Sequence, residues 1–251
     1  MSPRVHRPGL IVVTGGGGVP RALILAPMRM ELRPVARALR SERVVVGNEH
    51  LHRATVGRAD VGAAVIGVGP AAAARATARL LDAWPADLVL VSGIAGGLDP
   101  TLGIGTVIVP DTVVDRSTGK RFHPTALSNV TASGTIATSD ELILDDERLA
   151  QMRSDGVIAV DMETAAVAEV CSARGCAWSA FRAISDRPSD GLVDDTVFAM
   201  LKPDGQADAG AAARFVVTHP WRIPRLVRLG RDSTLAARRA ADAAVAACAQ
   251  L

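Results

Sequence analysis

Four carboxylates stand where an apolar run gives out: Glu31 in "LAPMRME", Asp161 and Glu163 in "AVDME", and Asp186 in "AISD". A carboxyl group in such a place can move a proton, or it can accept strong hydrogen bonds from ligand hydroxyls. Each also has a plainer reading. Glu31 fits the solvated face of a helix. Glu163 fits a first helical turn, where negative charge favours the helix dipole. Asp186 opens the turn-like "SDRPSD", a usual place for Asp. To serve as an acid at pH 7 an Asp needs a raised pKa. The apolar "FRAI" ahead of Asp186 offers the desolvation that would raise it. Asp161 receives no direct role, and a backbone or Arg partner is expected to satisfy it.

Strands and helices alternate around these acids. "RALILA" reads as a strand, and "MRMELRPVARAL" as a helix with Met28, Leu32, Val35 and Leu39 on one face. "RVVVGN", "HLHRATVG" and "VGAAVIGVG" read as strands, the first two as a hairpin, and "PAAAARATARLLDAW" as a helix with Pro70 at its first position. "ADLVLVSGIAG" is nearly all apolar, as in a sheet covered on both faces. "GTVIVPDTVVD" reads as one further strand, followed by a loop-rich stretch over 116–133. "GTIATS", "GVIAVDM" and "AWSAFRAISD" are strands, with helical pieces near Glu141–Arg153 and in "ETAAVAEVCSARG". The tail from Asp208 reads as helical, with a break near Pro220. The pattern predicts an α/β protein: a single domain of three layers, its central mixed β-sheet flanked by helices. Residues 1–20, with the run "TGGGGVP", read as a flexible leader, and 21–251 as the domain. The glycines match neither G-x-G-x-x-G nor a Walker loop, which speaks against a dinucleotide oxidoreductase. In such sheets ligands bind beyond the carboxyl ends of the strands, where the four acids are expected.

Composition narrows the classes. With 251 residues, 49% of them hydrophobic, the chain can bury one good core. Aromatic content is 3% with no Tyr, which argues against stacked platforms for nucleic acid. A net charge of +2 with no basic block agrees. Cys171, Cys176 and Cys248 form no CxxC pair. A disulfide framework and a metal site are therefore not expected, and a cytoplasmic setting is.

Taken in order, "LAPMRMEL", "SGIAGGLDPTLGIGTVIVPD", "AVDMETAAVAEVC" and "FRAISD" resemble the nucleoside phosphorylase and nucleosidase superfamily, above all its methylthioadenosine/S-adenosylhomocysteine nucleosidases. The resemblance runs from about Ala22 to Asp190. It implies cleavage of the N-glycosidic bond of a purine nucleoside, adenine foremost, carrying a modified 5′ group. Such cleavage passes through an oxocarbenium-like transition state, with positive charge on the sugar and negative charge on the base. By resemblance Asp186, with Ser185 beside it, delivers a proton to N7 of the purine. Glu31 activates the water, and Glu163 accepts from the ribose hydroxyls with Met162 as an apolar wall. Ala95 and Gly96 line the sugar, and Leu142 stands near the position of a base-stacking Phe. Gly67 and Gly69 fit a second Gly-rich strand end. No cofactor is implied, unless inorganic phosphate serves as co-substrate. The family is usually oligomeric, so a homodimer is expected.

Some positions depart from the pattern. Where phosphorolytic members place a Ser that binds phosphate, this chain has Ile94. An Ile with Glu31 nearby favours water, although Arg29 and Arg182 could still serve a phosphate. Leu142 in place of Phe suits a different 5′ group. The tail "LKPDG…HPWRIPRLVRLGRDS" resembles the hopanoid-associated phosphorylase branch, which acts on adenosylhopane, so phosphorolysis is the alternative. A non-catalytic nucleoside-binding protein on this fold is a further one, opposed by the presence of both Glu163 and Asp186. In that tail Arg222, Arg225, Arg228 and Arg231 recur at three-residue intervals around Trp221, Ile223, Leu226 and Val227. The pattern fits a helix with a solvated Arg face, or a weak contact with an acidic membrane surface.

Overall fold

Strand β1 (Arg21–Ala26) is buried on both faces. Its alternation divides the molecule: Leu23 and Leu25 join one core cluster, Ala22 and Ile24 another. The structure, a computed structural model, describes residues 18–128, 130–188, 218 and 222–251. Most of the leader, the tail's "LKPDG" and "HPW" and the helix expected from Asp208 lie outside the described residues.

After β1 come α1 (Arg29–Leu39), β2 (Glu42–Val46), β3 (Glu49–Val56), β4 (Ala59–Val65), α2 (Pro70–Ala83) and β5 (Leu88–Gly97). Then follow β6 (Val107–Ile108), β7 (Thr112–Asp115), β8 (Arg121–Phe122), β9 (Thr135–Thr138) and α3 (Asp146–Ser154). The chain continues through β10 (Val157–Asp161), α4 (Thr164–Ala173), β11 (Ala177–Asp186) and α5 (Ile223–Cys248). The strands form one mixed eleven-stranded sheet in the order β2-β3-β4-β1-β5-β10-β9-β7-β8, with β11 paired to β5 and β6. The hairpin β2–β3 forms as expected.

The sheet is the middle of three layers. Helices α2 and α4 pack together on the face of Leu23, Leu25, Val89 and Val91. Helices α1 and α5 cover the face of Ala22, Ile24, Leu88 and Leu90. A stripe of Ala236, Ala240 and Ala244 brings α5 close to the sheet, and Ala236 and Ala240 meet Ala183 and the partly buried Ile94 and Val107. Small side chains there let backbone approach backbone, which suits a chain poor in aromatics.

One expected strand divides. "GTVIVPDTVVD" becomes β6, paired with β11, and β7, paired with β8 and β9. Pro110 lies between them and has no N–H to give a ladder. The expected loop over 116–133 also holds the short β8.

Ala240 is fully buried against the sheet. Replacing it with Leu should lower stability by about 1–3 kcal/mol through overpacking. The shift in urea midpoint, at unchanged slope, measures it.

Candidate active site

The carboxyl end of β5 collects the site. Glu31, in the first turn of α1, is buried with 1% of its surface exposed. Its Oε2 accepts from Met28 N at 2.7 Å, closing the helix start as a capping-box Glu does. Its Oε1 accepts from Ile94 N at 2.8 Å, across to β5. It is therefore no solvated helix-face residue. Burial raises its pKa from the ordinary carboxylate range to about 7; Arg182 opposes the rise and Glu163 adds to it.

Arg182 of β11 is fully buried. Its Nη2 meets Asp161 Oδ2 at 2.7 Å and Glu163 Oε2 at 3.0 Å. Its Nε donates to Thr164 Oγ1 at 3.0 Å, and its Nη1 to the Ile94 carbonyl at 3.3 Å. The expectation that Arg182 could serve a phosphate is thereby corrected, because buried acids and a carbonyl already take its donors. Arg29 is exposed on the first turn of α1.

Glu163 begins α4 and is also buried. Its Oε1 accepts from Gly69 N at 3.0 Å. Gly69 holds φ +87°, which a side chain would strain, and this turns its N–H toward the acid. Burial raises the pKa of Glu163; Arg182 opposes the shift and Asp161 adds to it. Two lone-pair directions on the carboxylate remain for hydroxyl donors. Met162, half-buried, precedes it.

Asp161 has the Arg partner that its burial demands. Thr138 Oγ1 donates to its Oδ1 at 2.6 Å, Thr164 Oγ1 donates to its Oδ2, and Thr164 N approaches Oδ1 at 3.4 Å.

Asp186 ends β11 at a bulge: Ile184 pairs with Ala95, Asp186 with Gly96, and Ser185 is the extra residue. Bulges re-aim side chains in this way. Ser185 Oγ lies 2.5 Å from Asp186 Oδ1 and 3.4 Å from the Ala95 carbonyl. A Cβ on Gly96 would lie 3.2 Å from Val160 and 3.9 Å from Asp186 Oδ2, so glycine keeps this passage open. Ala95 packs into a core cluster with Ile108, Ile136 and Ile184 and can offer a ligand only its backbone. The neighbouring loop is bound to the strand end by Gly105 N to Ile184 O at 2.7 Å and Arg187 Nη2 to Leu102 O at 2.6 Å.

Glu31, Glu163, Gly96, Ser185 and Asp186 thus gather around the end of β5. Leu142 lies half-buried in the coil between β9 and α3. Sequence reasoning passed over Gly93. A Cβ there would lie 2.5 Å from both Arg182 Nη1 and Glu31 Oε1, so only glycine lets those groups flank the strand. It also passed over Thr138 and Thr164. The signal for Thr164 was its place at a helix start, where Thr often bonds locally. Thr138 had no local signal. Among the described residues no cluster of His, Cys, Asp and Glu could hold a metal ion. No described helix is long and apolar enough to cross a membrane.

Known proteins resemble this chain in sequence and in fold. A model of the phosphorylase superfamily matches residues 11–129 and 124–218. A 5′-methylthioadenosine/S-adenosylhomocysteine nucleosidase of Geobacillus thermodenitrificans is 29% identical over 201 residues, covering 66% of this chain and 84% of that one. Its Bacillus subtilis counterpart is 32% identical over 157 residues, covering 48% of this chain and 65% of the relative. Among solved structures, the Helicobacter pylori nucleosidase of that name superposes with a TM-score of 0.69 at 20% identity, covering 93% of this chain and 100% of that one. The futalosine hydrolase of Helicobacter pylori gives 0.65 at 20% identity, covering 89% and 94%.

The pKa of Glu31 has a consequence for stability. The group binds its proton more tightly folded than unfolded, so its contribution is complete below pH 4.5 and is lost as pH rises through about 7. Stability of the parent should therefore fall between pH 5 and pH 8, and Glu31→Gln should lose that pH dependence while giving up one of the two backbone hydrogen bonds. Urea denaturation at the two pH values measures the difference.

Proposed function

We propose that this chain, which belongs to the phosphorylase superfamily, hydrolyses the N-glycosidic bond of an adenine nucleoside with a modified 5′ group. One observation carries the choice of water over phosphate. Glu31, held at the end of β5 by Ile94 N, sets a carboxylate beside the buried cation that an anion would seek, and that cation already has acidic partners. Phosphate there would meet negative charge, and the Ile94 side chain has no hydroxyl to donate. The curated relatives named above are nucleosidases, in keeping with this reading.

In the proposed mechanism each residue has one step. Asp186 gives a proton to N7 of the leaving base, so that the electron pair of the breaking C–N bond is not left on an anion. The sugar becomes oxocarbenium-like as the bond lengthens. Glu163 accepts from the ribose hydroxyls, and these bonds strengthen as positive charge grows on the sugar. Met162 covers the ribose, and Leu142 offers an aliphatic surface to the base. Glu31 takes a proton from water as the oxygen attacks the anomeric carbon. These steps need no resident cofactor. A cytoplasmic homodimer completes the reading, its basis being family habit. The Arg225, Arg228 and Arg231 run on α5 would then give weak contact with acidic lipid, although Arg228 and Arg231 already approach Asp232.

Incubation with adenosine and 5′-methylthioadenosine, with and without phosphate, tests the reaction. Adenine and free sugar should form at equal rates in both conditions. Sugar 1-phosphate appearing only with phosphate would establish phosphorolysis instead, with Arg29 as the first residue to substitute.

Glu31 must be ionised to act as a base. The kcat/KM value should therefore fall as pH drops below about 7. Glu31→Gln should lose about 10²–10⁴-fold in kcat and the acidic limb with it. A Gln variant with an unchanged profile would remove Glu31 from the mechanism.

A further inference from the structure

Asp161, left without a role by the sequence, holds one of the most complete sets of bonds in the cluster. The direction of each hydroxyl proton around it is forced. Thr138 Oγ1 accepts from Ala165 N at 2.9 Å, and Thr164 Oγ1 accepts from Arg182 Nε at 3.0 Å. Each hydroxyl has one proton, and that proton then points at Asp161. Arg182 adds a third donor at 2.7 Å. Both oxygens of Asp161 are thus met by donors. The Arg182 nitrogen that meets Asp161 also meets Glu163 Oε2 at 3.0 Å.

We propose that Asp161 is a positioning residue: with Thr138 and Thr164 it fixes the guanidinium of Arg182, and through it sets the Glu163 carboxylate to receive the sugar diol. This deepens the nucleoside-cleaving reading and rests on it. The chain of bonds runs in one direction, from two hydroxyls to an acid, from the acid to a cation, and from the cation to the acid that faces the ligand. Asp161 also helps to start α4, since its Oδ1 lies 3.4 Å from Thr164 N. Asp161→Asn keeps the shape and an oxygen that can still face Thr164 N. It loses the charge, and it turns an NH₂ group toward donors.

The test compares 5′-methylthioadenosine with its 2′-deoxy counterpart. The parent should prefer the ribose compound, because Glu163 accepts from the 2′-hydroxyl. In Asp161→Asn, kcat/KM for the ribose compound should fall about 10²-fold, the size of effect that a small misplacement produces. The deoxy compound, which makes less use of Glu163, should lose much less, so the preference collapses. Thr164→Val should collapse it too, and Thr164→Ser should keep it; this pair decides the matter if Asp161→Asn does not fold. Equal losses on both sugars, or an intact preference in Asp161→Asn and Thr164→Val, would overturn the proposal. A parent inactive on both compounds would instead overturn the reading of function, and this inference with it.

Discussion

A fully buried guanidinium is the constraint around which this molecule is arranged. An isolated charge in a protein interior is costly, and it persists only with close partners and satisfied donors. Arg182 has Asp161 and Glu163 in contact and the charge of Glu31 nearby. Much of the local sequence answers to it. Gly93 is bare so that Arg182 and Glu31 can both lie against β5. Thr164 and the Ile94 carbonyl take donors that the acids do not reach. The acids depend on the cation in turn, because three buried carboxylates without it would repel one another.

The same acids serve the helices. Glu31 closes the start of α1, and Glu163 and Asp161 stand at the start of α4. Glu163 stands one residue ahead of the first helical turn in which it was expected, at the cap position of α4. The helix starts and the buried charge cluster thus share the same residues. Such double use ties the geometry of the site to the folding of its helices, and it explains how a strand can end in two acids without loss of order.

The layered fold was legible because apolar alternation and Gly-rich strand ends are local signals. Even so, one apolar run concealed two strands, since β6 and β7 take different partners on either side of Pro110. The acids of the site were legible as strand-end residues. Their partners were not: Glu31 meets Ile94, 63 residues on, and Glu163 meets Gly69, 94 residues back. Periodicity carries no record of such pairings. Arg182, taken from the sequence as a possible phosphate ligand, is instead the counter-ion of the acids. Only the three-dimensional placement of Asp161 and Glu163 settles that point.

The extra residue in β11 bears on how such a site can change over time. Because Ser185 is surplus to the pairing with β5, Asp186 departs from the strict inside-outside alternation of its strand. Point replacements of Ala180, Phe181, Ala183 or Ile184 alter the packing of the core while the acid keeps its heading. Loss of Ser185 would let Asp186 follow Ile184 in an unbroken ladder and would remove the bend that the bulge gives the strand end, with every packing residue still present. The heading of the acid is thus buffered against substitution and exposed to deletion. Change in this strand should therefore proceed through exchanged side chains, while the length of the segment around Ser185 stays constant.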